Sequence, residues 1–251
     1  MSYSEFASVY DLLTENVEYE KRAEYFCSLL SANGVNGGLL LDLACGTGSL
    51  SAEFAKRGFS VIGVDASPQM LSVAQNKKYE QNLDDLLFLC QDMRELDLYG
   101  TIDCCVCALD SLNHLTSEED LLRAFRSVSL FMNDGGAFVF DMNTPYKHRE
   151  ILSDKSFVYD LDDVYCVWQN SSVSDNLTVD ITLDFFTREA DGAYLRSTES
   201  FSEKAYDTDT VIKLLETADF ELTGCYGELS LDAPADDAQR IVFAAKRKDR
   251  K

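Results

Sequence analysis

The strongest constraint on the fold is an apolar run, Leu39–Leu43, that leads directly into a glycine turn and then a helical segment. Gly46 and Gly48 stand in this turn, and residues 49–57 have a helical pattern that Gly58 ends. A compact apolar run of this kind is typical of a strand that is buried on both faces of a parallel sheet. Glycines allow close backbone approach, and the N-terminus of the following helix favours a negative group. The segment therefore predicts a strand–turn–helix unit with a ligand at the turn.

Alternating strands and helices continue along the chain after this unit. Residues 59–64 form the second predicted strand, and a helix begins after it at Pro68, with Ser67 as its N-cap. The remaining predicted strands are Asp84–Cys90, Ile102–Leu109, Ala137–Asp141, Glu221–Glu228 and Arg240–Lys246. Such alternation predicts an α/β fold with a doubly wound, mostly parallel, seven-stranded sheet of the Rossmann-like type.

Two other regions have their own patterns. Apolar residues at spacings of three and four predict one helix over residues 5–31. After residue 150, three segments alternate between apolar and polar residues, and these segments are 157–170, 177–188 and 193–204. They predict a three-stranded antiparallel insertion after the fifth strand of the sheet.

The charge of the chain limits the partners that it can have. Its 22 basic and 44 acidic residues give a net charge of −22, which repels polyanions, so no DNA partner is predicted and an RNA partner is disfavoured. No apolar stretch is long enough to span a membrane, and residues 1–13 show no signal peptide. The eight cysteines are therefore expected to be reduced thiols of a cytoplasmic protein, and their spacing predicts no metal site.

Three acidic residues stand at the ends of three predicted strands. Asp42 lies four residues before Gly46, Asp65 ends the second strand, and Asp92 follows the third. The carboxyl ends of parallel strands share one edge of the sheet, where ligands of doubly wound folds bind, so these acids are expected to converge on one crevice. Asp65 is placed where an acid can accept hydrogen bonds from ribose hydroxyls.

The acid beside the turn discriminates between two nucleotide-like ligands. A dinucleotide would bring a pyrophosphate, which Asp42 would repel, and the G-x-G-x-x-G spacing is imperfect because Ser51 follows Gly46 and Gly48. S-adenosylmethionine brings an amino group and a sulfonium cation but no phosphate. The residues therefore favour S-adenosylmethionine as the cofactor, and a dinucleotide-dependent oxidoreductase is the weaker interpretation.

Several segments resemble those of class I S-adenosylmethionine-dependent methyltransferases. Asp42–Gly48 is similar to the first motif of that family, in a variant with Ala44 at its first glycine. The other similar segments are residues 61–70, 91–93 and 110–115. The opening, residues 6–13, resembles one bacterial subgroup of small-molecule-type enzymes, which also has an antiparallel insertion after the fifth strand.

The resemblance implies a role for each residue at these positions. Gly46 and Gly48, in one turn with Ala44, would let the backbone approach the methionine part of the cofactor. Asp42 would orient its amino group, and Asp65 would hold the ribose diol. The other implied contacts are Met70 on an adenine face, Asp92 at the adenine amino group, the Met93 backbone N–H at the ring and the Leu109 carbonyl. A core position on its helix is the competing interpretation for Met70.

Two residues are candidates for catalysis. His114 follows the fourth strand at the rim of the crevice, where it could act as a base, bind the substrate or be a structural loop residue. Tyr10 would close over the cofactor by resemblance, with a core position on the first helix as the alternative. His148 stands in the basic run 146–149, for which a solvated helix face is favoured over an anion site. Trp168 faces either substrate or core, and the core is favoured.

Together these patterns predict an enzyme that moves a methyl group to a nitrogen or oxygen atom of a small-molecule acceptor by in-line displacement. Residues 1–150 and 205–251 would form the cofactor-binding domain, and residues 151–204 a lid over the substrate. An RNA-modifying methyltransferase is one alternative, and it needs a basic rim that only residues 146–149 and the tail, 247–251, could provide. A protein that binds S-adenosylmethionine or S-adenosylhomocysteine without catalysis is the other.

Overall fold

Two β-sheets and six α-helices make up the protein in a computed structural model that describes residues 4–250, apart from the side chains of residues 4–6 and 8. The strands are β1 (Leu39–Leu43), β2 (Ser60–Asp65), β3 (Leu86–Cys90), β4 (Ile102–Cys107), β5 (Met132–Asn143), β6 (Ser156–Asp160), β7 (Val164–Asn170), β8 (Thr178–Arg188), β9 (Tyr194–Lys204), β10 (Phe220–Gly227) and β11 (Arg240–Arg247). The helices are α1 (Ser4–Leu13), α2 (Tyr19–Ala32), α3 (Ser49–Lys56), α4 (Pro68–Gln81), α5 (Glu118–Phe131) and α6 (Thr208–Thr217).

The larger sheet has seven strands in the order β10-β11-β5-β4-β1-β2-β3. Strands β1 to β5 pair in parallel, and β11 runs antiparallel to both β5 and β10. The predicted fold class, a doubly wound and mostly parallel seven-stranded sheet, is confirmed. The strand order reverses between β1 and β4, and in open α/β sheets ligands bind in the crevice at such a switch point.

Helices cover both faces of this sheet, which explains the unpatterned apolar runs of its strands. On one face, Leu40 of β1 packs in a cluster with Phe26 of α2 and Phe54 of α3. On the other face, Leu41 packs in a cluster with Phe125 of α5 and other apolar side chains. Since successive side chains of a strand point to opposite faces, a strand buried on both sides must be apolar throughout.

The N-terminal segment differs from the single predicted helix over residues 5–31. Helix α1 ends at Leu13, a short 3₁₀ turn spans Glu15–Val17, and α2 begins after Glu18, whose φ of 51° is left-handed. The Thr14 hydroxyl donates to the Tyr10 carbonyl over 2.9 Å, so a side chain provides a hydrogen bond to one of the last carbonyls of α1. After this break, α1 lies beside the carboxyl edge of the large sheet, where Asp11 accepts hydrogen bonds from the Thr47 hydroxyl over 2.6 Å and from the Lys77 Nζ over 2.8 Å.

The smaller sheet has four antiparallel strands, β6-β7-β8-β9, where three were predicted. The segment predicted as one strand, 157–170, is a hairpin, because the chain turns at residues 161–163 and the Leu161 N–H donates to the Val164 carbonyl over 3.0 Å. Alternating residues of this sheet face inward and form a third apolar cluster, which includes Ile181 and Phe185 of β8 and is joined by Val9 of α1.

The structure also bears on the predictions about membrane spans, the state of the cysteines and metal sites. No helix within residues 4–250 is long and apolar enough to cross a membrane. All eight cysteines are free thiols, and Cys104, Cys105 and Cys107 are fully buried in β4. In this part of the chain no group of three or more His, Cys, Asp or Glu side chains is arranged to hold a metal ion.

Candidate active site

The glycine turn after β1 brings the backbone sharply round the carboxyl edge of the sheet. Ala44, Gly46 and Gly48 all have positive φ, at 57°, 54° and 72°. This conformation is easy for glycine and costs free energy for alanine, so the turn at Ala44 is held by its surroundings. Cys45 provides one such tie, because its N–H donates to the Val64 carbonyl over 2.9 Å.

Glycine is needed at the two positions of this turn for different structural reasons. A Cβ added at Gly46 would meet no atom within 4 Å, so this position faces open space. A Cβ at Gly48 would lie 2.7 Å from the Phe88 ring and 3.0 Å from the Ala74 Cβ, because β3 and α4 pack tightly against the turn. Gly46 therefore leaves room for a ligand, whereas Gly48 is required by packing within the protein.

Asp65 fastens the glycine turn to the end of β2. Its Oδ2 accepts the Gly46 N–H and its Oδ1 accepts the Ser67 N–H, each over 2.8 Å. Burial raises the pKa of Asp65 above its ordinary value, and these two N–H groups oppose that rise. Ser67 accepts the Met70 N–H over 3.2 Å, as predicted for the N-cap of α4. The Asp65 carboxylate thus positions two neighbouring elements while still lining the cavity described below.

Asp42 is more deeply buried than Asp65 and Asp92, the other two predicted acids at this edge. It accepts a hydrogen bond from the Ser51 hydroxyl, and burial raises its pKa to about 7 against the effect of that bond. Asp42 lines a small cavity of about 30 Å³ behind the glycine turn, together with Tyr10 and Tyr19. A space of that size holds about one water molecule, so Asp42 could reach a ligand only through such a water.

Asp92 lies at the end of β3 in a close pair with Arg94. The Arg94 Nε donates to both Asp92 carboxylate oxygens, over 2.9 and 3.1 Å, and this bonding holds the pKa of Asp92 below its ordinary value. Arg94 also lies 3.3 Å from Asp120 of α5. A ligand group that donates a hydrogen bond to Asp92 must therefore share the carboxylate with the Arg94 guanidinium or displace it.

A large cavity of about 890 Å³ opens over this edge of the sheet. Of the residues predicted to contact a cofactor, seven line it, and these are Ala44, Gly46, Asp65, Met70, Asp92, Met93 and Leu109. The opposite wall is the inner face of the small sheet, which contributes Phe157, Tyr159, Cys166, Trp168, Leu183, Phe201 and Glu203. The cavity therefore lies between the two sheets, with Tyr10, Leu13 and Val17 of the N-terminal segment at its side.

The turn after β4 forms the floor between these walls. Leu109 and Asp110 both have positive φ, at 58° and 55°. Their N–H groups donate to the Asp141 carboxylate, over 3.0 and 2.7 Å, and this buried carboxylate holds the turn in its unusual conformation. Asp110 then points its own carboxylate toward Arg240 of β11, whose Nη2 lies 2.7 Å away.

His114 faces the cavity, as its predicted place at the rim requires. Its side chain is 45 % exposed, its ring centre is 4.9 Å from that of Phe201, and its Nε2 is 3.9 Å from Glu203 Oε1. Desolvation lowers the pKa of His114, although Asp110 and Asp65 oppose the effect, so the imidazole is neutral at pH 7. Tyr10 lines both cavities, and burial raises the pKa of its phenol, which stays protonated.

One interpretation from the sequence is wrong in part. The predicted solvated face at residues 146–149 is exposed at Arg149, but His148 is fully buried and the Lys147 Nζ donates to Asn143 Oδ1 over 2.9 Å. Trp168, for which a core position was favoured, packs against the apolar cluster of the small sheet, with its ring 6.0 Å from that of Phe157, and it also lines the cavity.

Sequence reasoning missed Glu203 and Arg240, which also line the cavity. Glu203 lies two residues after Phe201 and shares a face of β9 with it, but Ser197 and Glu199 stand on the same face, so alternation alone does not single out Glu203. No local signal marks Arg240 either, because its partners Asp110 and Asp141 are about 100 residues or more away in the chain.

This arrangement suits a particular ligand chemistry. Carboxylates line the cavity at two strand ends, Asp65 and Asp92, and the open space at Gly46 allows a ligand to approach the turn. Such a lining favours a ligand with hydroxyl, amino or cationic groups and disfavours a pyrophosphate. The predicted S-adenosylmethionine meets these requirements.

Comparisons with known proteins agree with this chemistry. A sequence model of a methyltransferase domain matches residues 40–136. YqeM of Bacillus subtilis (strain 168), a methyltransferase by name, is 33 % identical over 248 residues, which cover 98 % of each chain. A dTDP-3-amino-3,4,6-trideoxy-alpha-D-glucopyranose N,N-dimethyltransferase of Streptomyces venezuelae is 29 % identical over 59 % of this chain and 60 % of its own.

A solved structure shows the same similarity over the whole fold. The crystal structure of an S-adenosylmethionine-dependent methyltransferase from Clostridium acetobutylicum ATCC 824 superposes with a TM-score of 0.88, at 31 % identity, over 99 % of this chain and 100 % of that one. The glycine turn, the strand-end carboxylates and the second sheet are thus parts of one enzyme fold. This chain belongs to the class I S-adenosylmethionine-dependent methyltransferases.

Proposed function

We propose that this enzyme transfers the methyl group to a nitrogen or oxygen atom of a small-molecule acceptor in the large cavity. The observation that carries the proposal is the composition of the cavity walls, with the predicted cofactor residues on one side and an aromatic sheet face on the other. About 890 Å³ is within the range of small-ligand pockets. The name of the Streptomyces venezuelae relative, an amino-sugar N,N-dimethyltransferase, supports a small acceptor.

The cofactor is proposed to lie along the carboxyl edge, with Asp65 at its ribose diol and Met70, Asp92 and Met93 around its adenine. Gly46 and Leu109 would leave backbone groups at its methionine part, with Gly48 and Ala44 shaping the turn. Asp42 would act through a water in the small cavity. Bound S-adenosylmethionine supplies a methyl group on a sulfonium, which a nucleophile displaces in line. The protein then has mainly to align the acceptor and exclude water.

The small sheet is proposed to act as the substrate lid. In this division, residues 151–204 cover the acceptor, and residues 1–150 and 205–251 form the cofactor-binding domain. His114 and Tyr10 stand where lid and domain meet, and the neutral His114 imidazole could accept a proton from the acceptor. The proposal thus keeps both as catalytic candidates.

The basic side chains of the chain favour a small acceptor over RNA. Lys147 and His148 point into the protein, and Arg247 is buried and donates from Nε to the Ser129 carbonyl over 3.1 Å. The exposed cations of the two segments considered for a basic rim are Arg149 in the first and Lys248 and Arg250 in the second, which is less than the cluster that RNA binding needs. Lys251, at the end of that tail, lies outside the described residues.

Incubation with methyl-labelled S-adenosylmethionine and a metabolite extract tests the proposal. We expect the label in one or a few small molecules, identified by mass spectrometry as N- or O-methylated products. A parallel incubation with total RNA is expected to incorporate no label. Label that enters RNA alone, or enters neither fraction, would contradict the proposed acceptor class.

The two glycines of the turn are expected to respond differently to alanine. Gly46→Ala should weaken S-adenosylmethionine binding, because its Cβ would enter the space left for the ligand while meeting no protein atom, and its φ of 54° should cost only about 1 kcal/mol of stability. Gly48→Ala should instead lower the free energy of unfolding by about 1–3 kcal/mol, since its Cβ would overlap Phe88 and Ala74. Calorimetry measures the first effect and urea denaturation the second. Equal effects of both variants on stability would contradict the distinction.

A further inference from the structure

Glu203 is a buried carboxyl group at the acceptor side of the cavity. It lies on the inner face of β9, its side chain is 4 % exposed, and it lines the cavity. The Asn143 Nδ2 donates to its Oε2 over 3.1 Å. Two imidazoles stand nearby, with His114 Nε2 at 3.9 Å from Oε1 and His148 Nε2 at 4.0 Å from Oε2. Glu203 is therefore placed to contact an acceptor, with two imidazoles just beyond hydrogen-bond distance.

The carboxyl group of Glu203 has no permanent cation as a partner. Within residues 4–250, no lysine or arginine nitrogen comes within 4.0 Å of it. Desolvation at the cavity wall lowers the pKa of His114, and burial lowers that of His148, so both rings favour the neutral form at pH 7. Burial and the nearby charge of Asp110 raise the pKa of Glu203 to about 8, although Lys147, Asn143 and Arg240 oppose that rise.

The surrounding network is already balanced in charge without Glu203. Three carboxylates and three cations are joined there by ion pairs and hydrogen bonds, namely Asp110, Asp141, Glu228, Arg22, Arg240 and Lys147. An ionised Glu203 would add a fourth negative charge in a buried place, which is unfavourable unless a cation comes with it. A ligand that brings a positive charge to the cavity would supply that cation.

His148 is the second neighbour of Glu203, and its tautomer determines how it interacts with the Glu203 carboxyl group. It is fully buried, and its Nδ1 lies 2.9 Å from the Leu177 carbonyl, which can only accept, so Nδ1 carries the hydrogen. Its Nε2 then bears a lone pair, has no hydrogen-bond partner among the described residues and faces Glu203 Oε2. A buried acceptor without a partner is costly, and a proton on Glu203 would satisfy it once the two groups close their 4.0 Å separation to hydrogen-bond distance.

We propose that the acceptor is an amine, that it binds as an ammonium against Glu203, and that Glu203 is the catalytic residue that removes its proton. The inference rests on the proposed function. One N–H proton passes to the Glu203 carboxylate, and the freed nitrogen lone pair forms the N–C bond. The C–S bond breaks, its electron pair stays on sulfur, and the positive charge ends on the methylated nitrogen. His148 is a positioning residue, because its Nε2 lone pair faces the Glu203 carboxyl group across 4.0 Å and would stabilise a proton there.

The first test compares Glu203→Gln with Glu199→Gln. Glu199 is a buried carboxyl four residues earlier on β9 and is not among the described residues that line the cavity. With the acceptors found in the metabolite extract, Glu203→Gln should lower kcat/KM by roughly 100-fold or more, in the range of general-base removal, while Glu199→Gln changes it little. S-adenosylmethionine affinity should change less than about 2-fold in both, which also shows that both variants fold.

The outcomes separate this inference from the proposed function. If the wild type labels no small molecule, the proposed function fails. If it labels only oxygen atoms, the proposed function stands and the amine inference is overturned. The inference is also overturned if Glu203→Gln methylates amines at the wild-type rate and pH profile. In the wild type, we expect the rate with amines to rise with pH through the ionisation of Glu203, and this rise should be absent in the variant.

A second test needs no acceptor, because the chain contains only two histidines. Nuclear magnetic resonance of ¹⁵N-histidine-labelled protein reports the protonation of each ring nitrogen. We expect His148 as the Nδ1–H tautomer, with its Nε2 signal shifting through a step near pH 8 as Glu203 ionises. Glu199→Gln should keep this step and Glu203→Gln should abolish it. A wild-type His148 signal with no such step would refute the coupling.

Discussion

Arg240→Ala is expected to lower the free energy of unfolding by about 3–5 kcal/mol. The Arg240 Nη1 donates to Asp141 over 2.6 Å and its Nη2 to Asp110 over 2.7 Å. Asp141 is fully buried, and the variant would leave it with Arg22 as a more distant cation at 3.7 Å. The loss is large because a buried carboxylate that loses its partner keeps the full cost of desolvation. Urea denaturation followed by circular dichroism at pH 7 measures it.

An exposed arginine provides the control for this prediction. Arg196 pairs with Asp184 over 2.8 Å but is 61 % exposed, so Arg196→Ala should cost less than about 1 kcal/mol. If the two variants lose the same stability, the network around Arg240 does not hold the turn after β4 as described.

The effect of Arg240→Ala should also depend on pH. Burial alone would raise the pKa of Asp110, but Arg240 and Lys147 outweigh it and hold the pKa below its ordinary value of 3.8. A carboxyl with a lowered pKa stabilises the fold above its ordinary value, and that contribution is lost as the pH falls through the lowered one. The stability difference between wild type and variant should therefore shrink in acid.

Asp65→Ala is expected to weaken S-adenosylmethionine binding by about 1–3 kcal/mol, or roughly 5- to 150-fold in the dissociation constant. If Asp65 holds the ribose diol, the variant loses those hydrogen bonds directly. It also removes the hydrogen bonds that the Gly46 and Ser67 N–H groups donate to Asp65, so the turn beside the ligand is held less firmly. Titration calorimetry with S-adenosylmethionine measures the change.

A similar aspartate at the other edge of the sheet provides the matched control. Asp103 accepts the Leu39 N–H over 2.8 Å and the Asn133 side chain over 2.9 Å, so it too joins neighbouring elements. Asp103→Ala should reduce stability and leave cofactor affinity unchanged. An Asp65→Ala variant that binds the cofactor as tightly as the wild type would remove Asp65 from the proposed site.

Some parts of the fold were predictable because their causes are local. The Leu39–Leu43 run and its glycine turn identify a buried strand next to a ligand, and Ser67-Pro68 identifies the start of α4. The break at residues 14–18 was not predictable in this way, because those residues also fit a continuous helix. The hairpin inside 157–170 was missed for a related reason, since a two-stranded segment with a short turn keeps the same alternation.

By itself, the sequence determined the α/β fold, the carboxyl edge as the ligand site and the acidic strand ends that suit S-adenosylmethionine. These features depend on periodicity and on residue types at strand ends, which neighbouring residues specify. Only the tertiary structure decided that Asp42 is nearly out of reach, that His148 is buried, and that Glu203 and Arg240 share one cavity. These facts depend on side chains from distant segments that meet when the small sheet closes on the large one, and no local pattern in the chain encodes that meeting.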